Sequence, residues 1–256
     1  MISGWWGIRC VWLRYFDVYR KSIVYSAVTT FVEPLLYLFA FGFGLGGMIG
    51  TIRVGESVVS YRQFVFAGIV GQTVLFQAFF EAAYGSFIRM YYQRVFQAIA
   101  TTPITLSEVL WAEIIWDSSK ATFASLAVLL IGTAMGDFSP IGALAAVPLC
   151  FGCAFIFSSM GVLVAARSRT IEDISYPQYL LIFPMFLFCA IFFPLGNLPP
   201  VLQWVAWALP LTSVVSLVRT LTLGFPLQPQ VFLLLSVWLI LLIPWSRRAM
   251  SRRLVK

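Results

Sequence analysis

Glu113, Asp117 and Lys120 stand at i, i+4 and i+7 inside the apolar run 106–134. At helical spacing they share one face. Asp117 falls roughly 16 Å along the run at 1.5 Å per residue. A lone charge that deep in an apolar surrounding costs about 2.5–3.5 kcal/mol on insertion scales. Such groups therefore need partners or water. Asp117 and Lys120 can offset one another as an i,i+3 pair, which leaves Glu113 in want of a partner. Two chemistries suit the stripe: a polar-lined path, or a lock that ties helices by buried hydrogen bonds. Glu33, beside the helix-kinking Pro34, has the same two readings. Glu81 is placed to reach the end of its apolar run.

The elements that must carry these groups are set by composition. The chain has 256 residues, 61% hydrophobic and 11% charged, with mean hydropathy +0.91. A soluble domain has about 25% charged residues, so the expected fold class is an all-α polytopic membrane protein. The net charge of +7 comes from basic residues flanking long apolar runs, a pattern that sets membrane orientation rather than a nucleic-acid face. The absence of His removes the commonest general base and metal ligand. Cys150-Phe-Gly-Cys153 lies within an apolar run and reads as packing, with Cys10 and Cys189 scattered elsewhere. Neither catalytic nor metal residues are expected.

Residues 1–21 carry an amphipathic helix pattern over 5–21, with Trp5, Ile8, Val11, Trp12, Tyr15, Phe16 and Tyr19 on one arc. It predicts an interfacial helix and not a signal peptide. Six transmembrane helices are expected at 23–45, 64–85, 106–134, 141–165, 175–193 and 230–245. Gly42, Gly46 and Gly50 form a small-residue face at the end of the first. A polar loop is expected at 51–62, a polar helix at 86–102, and a proline-punctuated re-entrant hairpin at 195–223. With both termini in the cytoplasm, Arg9, Arg14, Arg20, Lys21, Arg89, Arg94, Arg167, Arg169 and the five basic residues from Arg247 to Lys256 lie inside. Only Arg53, Arg62 and Arg219 lie outside.

Transport against a gradient needs a driver, and the chain has none of its own. Lys21 precedes Ser22, but Tyr15 and Arg20 stand where a phosphate-binding loop requires glycine. ATP would have to act through a separate subunit, and 86–102 is its natural contact.

Three blocks carry a family resemblance over nearly the whole chain. The first is Glu33-Pro34-Leu-Leu-Tyr-Leu-Phe with Gly42-Phe-Gly44-Leu-Gly46. The second is Phe87-Ile-Arg89-Met-Tyr-Tyr-Gln-Arg94 running on to Thr105-Leu-Ser-Glu108-Val-Leu-Trp-Ala-Glu113. The third is Phe193-Pro194, Leu198-Pro199, Leu209-Pro210-Leu-Thr212 and Arg219. In order and spacing they resemble the membrane subunits of ABC-2 exporters, and within them the nodulation protein J group.

The resemblance implies a single domain over 1–256 with a coupling helix at 86–102 seated in an ATPase through Arg89, Met90, Tyr91, Arg94, Val95, Phe96 and Thr102. It implies two copies of the chain with two ATPase subunits, which bind the ATP and Mg; this chain holds no cofactor. The expected location is the bacterial inner membrane. The expected cargo is amphiphilic, a lipo-oligosaccharide or lipid-linked glycan, with drugs or other lipids as the alternative. Glu33, Tyr37, Tyr84, Trp111, Glu113, Trp116, Asp117 and Lys120 are the candidate path residues. A lipid-modifying intramembrane enzyme using Glu33, Glu113 and Asp117 lacks a His or metal partner. A passive channel would need more than one polar helix face.

Overall fold

The computed structural model describes residues 4–21, 23–55 and 57–254. Nearly all of them are helical: α1 (Gly4–Lys21), α2 (Ile23–Tyr37), α3 (Gly46–Ile49), α4 (Tyr61–Phe80), α5 (Val95–Ala100), α6 (Leu106–Ala134), α7 (Pro140–Arg167), α8 (Ser175–Pro177), α9 (Phe183–Phe188), α10 (Pro200–Ala208), α11 (Pro210–Leu223) and α12 (Gln230–Leu254). Among the described residues five helical stretches are long and apolar enough to cross a membrane: Phe31–Ile49, Tyr61–Tyr92, Leu106–Ala134, Pro140–Arg167 and Gln230–Arg253. The chain is thus an all-α polytopic membrane protein.

Local chemistry marks the ends of these helices. Thr105 and Glu108 cap α6 reciprocally: the Glu108 amide donates to Thr105 Oγ1 at 3.4 Å, and the Thr105 amide to Glu108 Oε2 at 2.6 Å. Ser139 caps α7 by accepting from the Gly142 amide at 3.2 Å, with Pro140 at the first helical position. Between α7 and α8 the Asp173 carboxylate accepts the Arg169 and Thr170 amides, which hold its pKa below the usual carboxylate range.

Three stretches depart from expectation. The segment 51–62 is not a loop: Thr51–Val54 (β1) and Ser57–Ser60 (β2) pair antiparallel, Thr51 opposite Ser60. Their β-branched residues suit a two-stranded ribbon. Nor is 86–102 one helix. Residues up to Tyr92 prolong α4 through two wide π-helical segments, Glu81–Gly85 and Ile88–Tyr92. Arg94 then takes a left-handed conformation, φ 51°, and α5 starts afresh at Val95.

The third departure is at 175–193, which is helical only from Ser175 to Phe188, through a π-helical Gln178–Ile182. At 1.5 Å per residue that is about 21 Å, short of the ~30 Å of a bilayer core. Ala190, at φ 61°, ends the helix, and Arg219 Nη2 donates to the carbonyls of Ala190 and Ile191 that the break exposes. The carbonyls of this non-helical stretch are thus satisfied by protein.

After it, α10 and α11 meet at an 84° elbow. Pro200 lines a groove with Gln230 at the start of α12, and Trp238, farther along α12, donates to the Ala208 carbonyl. Leu211 packs on Gly71 of α4, while the Ser139 amide beyond α6 reaches the carbonyl of Thr222. Two apolar helices joined at so sharp a bend form either a broken span or a re-entrant loop, the latter being the geometry anticipated at 195–223.

Helix α4 is the axis of the bundle, its side chains almost wholly buried from Phe64 to Phe79. Gly42 lets the first crossing touch it, since a Cβ there would meet the Phe66 ring at 2.3 Å. Gly161 brings α7 onto the carbonyl of Phe79, where a Cβ would fall 2.6 Å from that oxygen and from Ala82 Cβ. We expect Gly161→Val to destabilise the protein by about 1–3 kcal/mol through overpacking. Gly152→Val, whose Cβ meets nothing within 4 Å, should change little. Thermal unfolding in detergent measures both.

Candidate functional site

The wide turns at the end of α4 position the one side chain that gathers the charges of the bundle. Arg89 donates from Nε to Glu113 Oε1 at 2.9 Å and from Nη2 to Glu113 Oε2 at 2.5 Å, a two-pronged pairing. Its Nη1 reaches Glu81 Oε1 at 3.3 Å and its Nη2 reaches Asp117 Oδ1 at 3.5 Å. Lys120 pairs with Glu81 Oε2 at 2.6 Å. The i,i+3 pair expected between Asp117 and Lys120 does not form. Each takes a partner from the α4 extension instead, and Glu81 serves the cluster rather than the end of its run.

Helix α1 closes this cluster. Its inner stripe of Gly7, Val11 and Tyr15 is buried, while Trp5, Trp6, Leu13 and Val18 stay exposed. The Tyr15 hydroxyl donates to Glu113 Oε1 at 2.7 Å, and its ring lies 4.9 Å under the Arg89 guanidinium. Burial, and then the Glu113 carboxylate, push the Tyr15 phenol well above its ordinary pKa, so it remains a donor. Ser86 gives Glu113 a further bond at 3.1 Å. Glu113 and Asp117 have no exposed side-chain surface, and Asp117 Oδ2 has no hydrogen-bond partner. In such surroundings the bonds are strong and an unpaired member is costly.

Of the other candidate path residues, Trp116 joins the cluster, lining a cavity with Glu81, Arg89 and Lys120; the rest are not brought to one place. Trp116 is buried against Trp12, Tyr15 and Tyr19 of α1. Trp111 lies under Arg247 of α12, at 5.4 Å. Tyr84 donates to Gln178 at 2.9 Å, and Tyr37 packs on Phe41 and Phe186. Glu33 stands apart, half-buried in an open groove with Val28, Val32, Leu36 and Tyr37, without an ion-pair or hydrogen-bond partner among the described residues.

The coupling candidates divide in two. Met90, Val95 and Phe96 turn inward with Ile99, and Arg89 is spent on the ion cluster. Tyr91, Tyr92, Gln93 and Arg94 form an exposed elbow, followed by exposed Thr101 and Thr102. Thr102 Oγ1 closes the end of α5 on the Ile99 carbonyl at 2.6 Å. Sequence reasoning missed Tyr15, Ser86 and the reach of Glu81 to Arg89. In a straight helix those last two would stand about 80° apart round the axis. The wide turns rotate less per residue and trim that offset.

Removing Arg89 while keeping its acids strands buried carboxylates. We expect Arg89→Met to cost about 3–5 kcal/mol of stability. In the double variant Arg89→Met/Glu113→Gln the loss should be smaller than the sum of the single losses. Detergent unfolding midpoints across the four-member cycle measure this.

Known proteins are similar to this chain over most of its length. Nodulation protein J of Rhizobium leguminosarum bv. trifolii is 32% identical over 248 residues, covering 96% of this chain and 93% of its own length. Its counterpart in Rhizobium meliloti (strain 1021) is 32% identical over 225 residues, 88% of this chain and 84% of that one. The inner membrane transport permease YadH of Escherichia coli (strain K12) is 24% identical over 246 residues, 94% of each. The family model described as ABC-2 type transporter matches residues 7–223, which take in α1, the ion cluster, the elbow and the re-entrant pair. The chain therefore belongs to the ABC-2 type transporter family, as a multi-pass membrane transport subunit.

Proposed function

We propose that this chain is the permease of an ATP-driven exporter in a bacterial inner membrane, paired with a second copy and served by two ATPase subunits that bind the ATP and Mg. The observation that carries this reading is the elbow at Tyr91–Arg94. It is exposed, it projects from the end of the central helix, and within one turn it meets the Arg89 cluster that ties α4 to α1 and α6. A push on such an elbow is delivered to three helices at once. Loops with little buried surface of their own serve well as docking points on a rigid scaffold.

Sidedness follows from charge. The start of α1 and the end of α12 lie at the elbow's end of the bundle: Gly7 of α1 abuts Glu108, and Arg253 of α12 donates to the carbonyls of Ala165 and Ala166. The basic residues gathered there make it the cytoplasmic end. Glu33 supports the second copy. It stands on the first crossing beside exposed Val28, Val32, Leu36 and Phe39, and a carboxylate at that depth is poorly suited to lipid. Pairing that face with its copy would give the two carboxylates a shared polar seam, through which an amphiphile can pass. Kinship with the nodulation protein J group favours a lipo-oligosaccharide or lipid-linked glycan as cargo.

Co-expression with its ATPase tests the proposal. Tyr91→Ala/Tyr92→Ala/Arg94→Glu should abolish ATPase co-purification and ATP-dependent export while leaving the unfolding temperature within a degree or so of the parent, because all three side chains are exposed. Glu33→Leu should suppress export with the ATPase still bound. Undiminished export by the triple variant would refute the reading.

A further inference from the structure

A groove of about 650 Å³ lies between α10 and the first turns of α12, at the end of the bundle opposite the elbow. Pro200, Gln203, Trp204, Trp207, Gln230 and Leu233 line it. Its volume falls within the roughly 300–1,000 Å³ of small-molecule sites. Neither the ion cluster nor the seam at Glu33 uses these residues.

The lining selects for one ligand chemistry. It contains two indoles, two uncharged amides and the apolar Pro200, Ala208, Leu233 and Leu234, and no Lys, Arg, Asp or Glu. A phosphate headgroup would find no cation here. An acyl chain would gain nothing from the amides and would leave them against hydrocarbon. A sugar ring uses both kinds of group: its C–H face lies flat on an indole, and its hydroxyl or acetamido groups bond to amides. Gln203 is already oriented, because its Nε2 donates to the Leu198 carbonyl at 2.7 Å and so leaves Oε1 as an acceptor. Trp204 is 80% exposed, an indole face held open on a helix that proline starts and an 84° elbow ends. Trp238 holds the other end of α10 through the Ala208 carbonyl, so the groove has a fixed wall.

We propose that this groove is a binding site for a neutral oligosaccharide, with Trp204 and Trp207 as stacking platforms and Gln203 and Gln230 as hydrogen-bonding groups. The assignment of that sugar to exported cargo rests on the exporter reading; the binding chemistry does not.

The test uses the purified full-length chain in detergent, without ATPase, titrated calorimetrically with the N-acetylglucosamine tetramer and, in parallel, with glycerol 3-phosphate. We expect saturable binding of the tetramer only. Trp204→Leu/Trp207→Leu should weaken it by about tenfold or more, the range of one or two aromatic contacts. Trp204→Tyr, which keeps an aromatic face, should retain most of it, and Trp245→Leu, at the opposite end of α12, should leave it unchanged. Unfolding midpoints of each variant separate lost binding from lost fold. Absence of saturable binding, tighter binding of glycerol 3-phosphate, or full binding by the double Leu variant would overturn the proposal. Failure of the exporter reading is distinguishable: ATP-dependent export would be missing while the tetramer still bound.

Discussion

A guanidinium held among three carboxylates, two of them fully buried, constrains everything around it. Arg89 cannot withdraw without leaving Glu113 and Asp117 bare, and those acids cannot move without it. Because two of its partners, Glu113 and Asp117, lie on α6, with Tyr15 of α1 bonded to the same Glu113, the cluster makes the end of α4, the start of α6 and α1 one mechanical unit. Lys120 and Glu81 extend that unit a further turn. The exposed elbow is the only part of this neighbourhood, among the described residues from 86 to 102, that offers several consecutive unburied side chains. Force applied there has a defined route inward. Cluster and elbow are thus two parts of one proposed device, the first a rigid coupling and the second its handle.

The opposite end is held by different chemistry. Arg62 pairs with Asp137 at 2.9 Å and anchors the start of α4 to the turn between α6 and α7. Arg219 has no carboxylate partner among the described residues; it stacks 3.5 Å from the Phe64 ring centre and binds the carbonyls of Phe64, Ala190 and Ile191. One side chain therefore satisfies the broken end of the helical stretch Ser175–Phe188 and secures α11 to the central helix. Backbone that is not helical survives in an apolar surrounding only when something else supplies its hydrogen bonds.

Much of this was legible in the sequence, because hydropathy and caps report directly on helix limits. The runs 106–134 and 141–165 match α6 and α7 to within two residues at either end, where Thr105 and Ser139 give unambiguous starts. The charged stripe of Glu113, Asp117 and Lys120 was visible from spacing alone. Its partners were not, since pairing across helices depends on how far α4 is unwound near Glu81 and Arg89, and wide turns leave no periodic trace. The break at Ala190 was hidden for a similar reason: its support, Arg219, lies far away in sequence. At 51–60 a polar stretch with alternating β-branched residues reads as a loop until its partner strand is seen. The contacts of the aromatic residues were equally hidden: Trp116 packs against Trp12 of α1, and Trp111 lies under Arg247 of α12.

The central claim is that the elbow receives the work of a partner motor, which the Arg89 cluster passes to the bundle. The most direct measurement is site-specific photocrosslinking in living cells. A photoreactive amino acid at Arg94, on the exposed elbow, is compared with one at Gly196, in the connection before α10. The account predicts a crosslinked product of this chain with an ABC ATPase from position 94 and none from position 196. Crosslinks to the ATPase from position 196 alone, or from neither position in a complex that still exports, would contradict it.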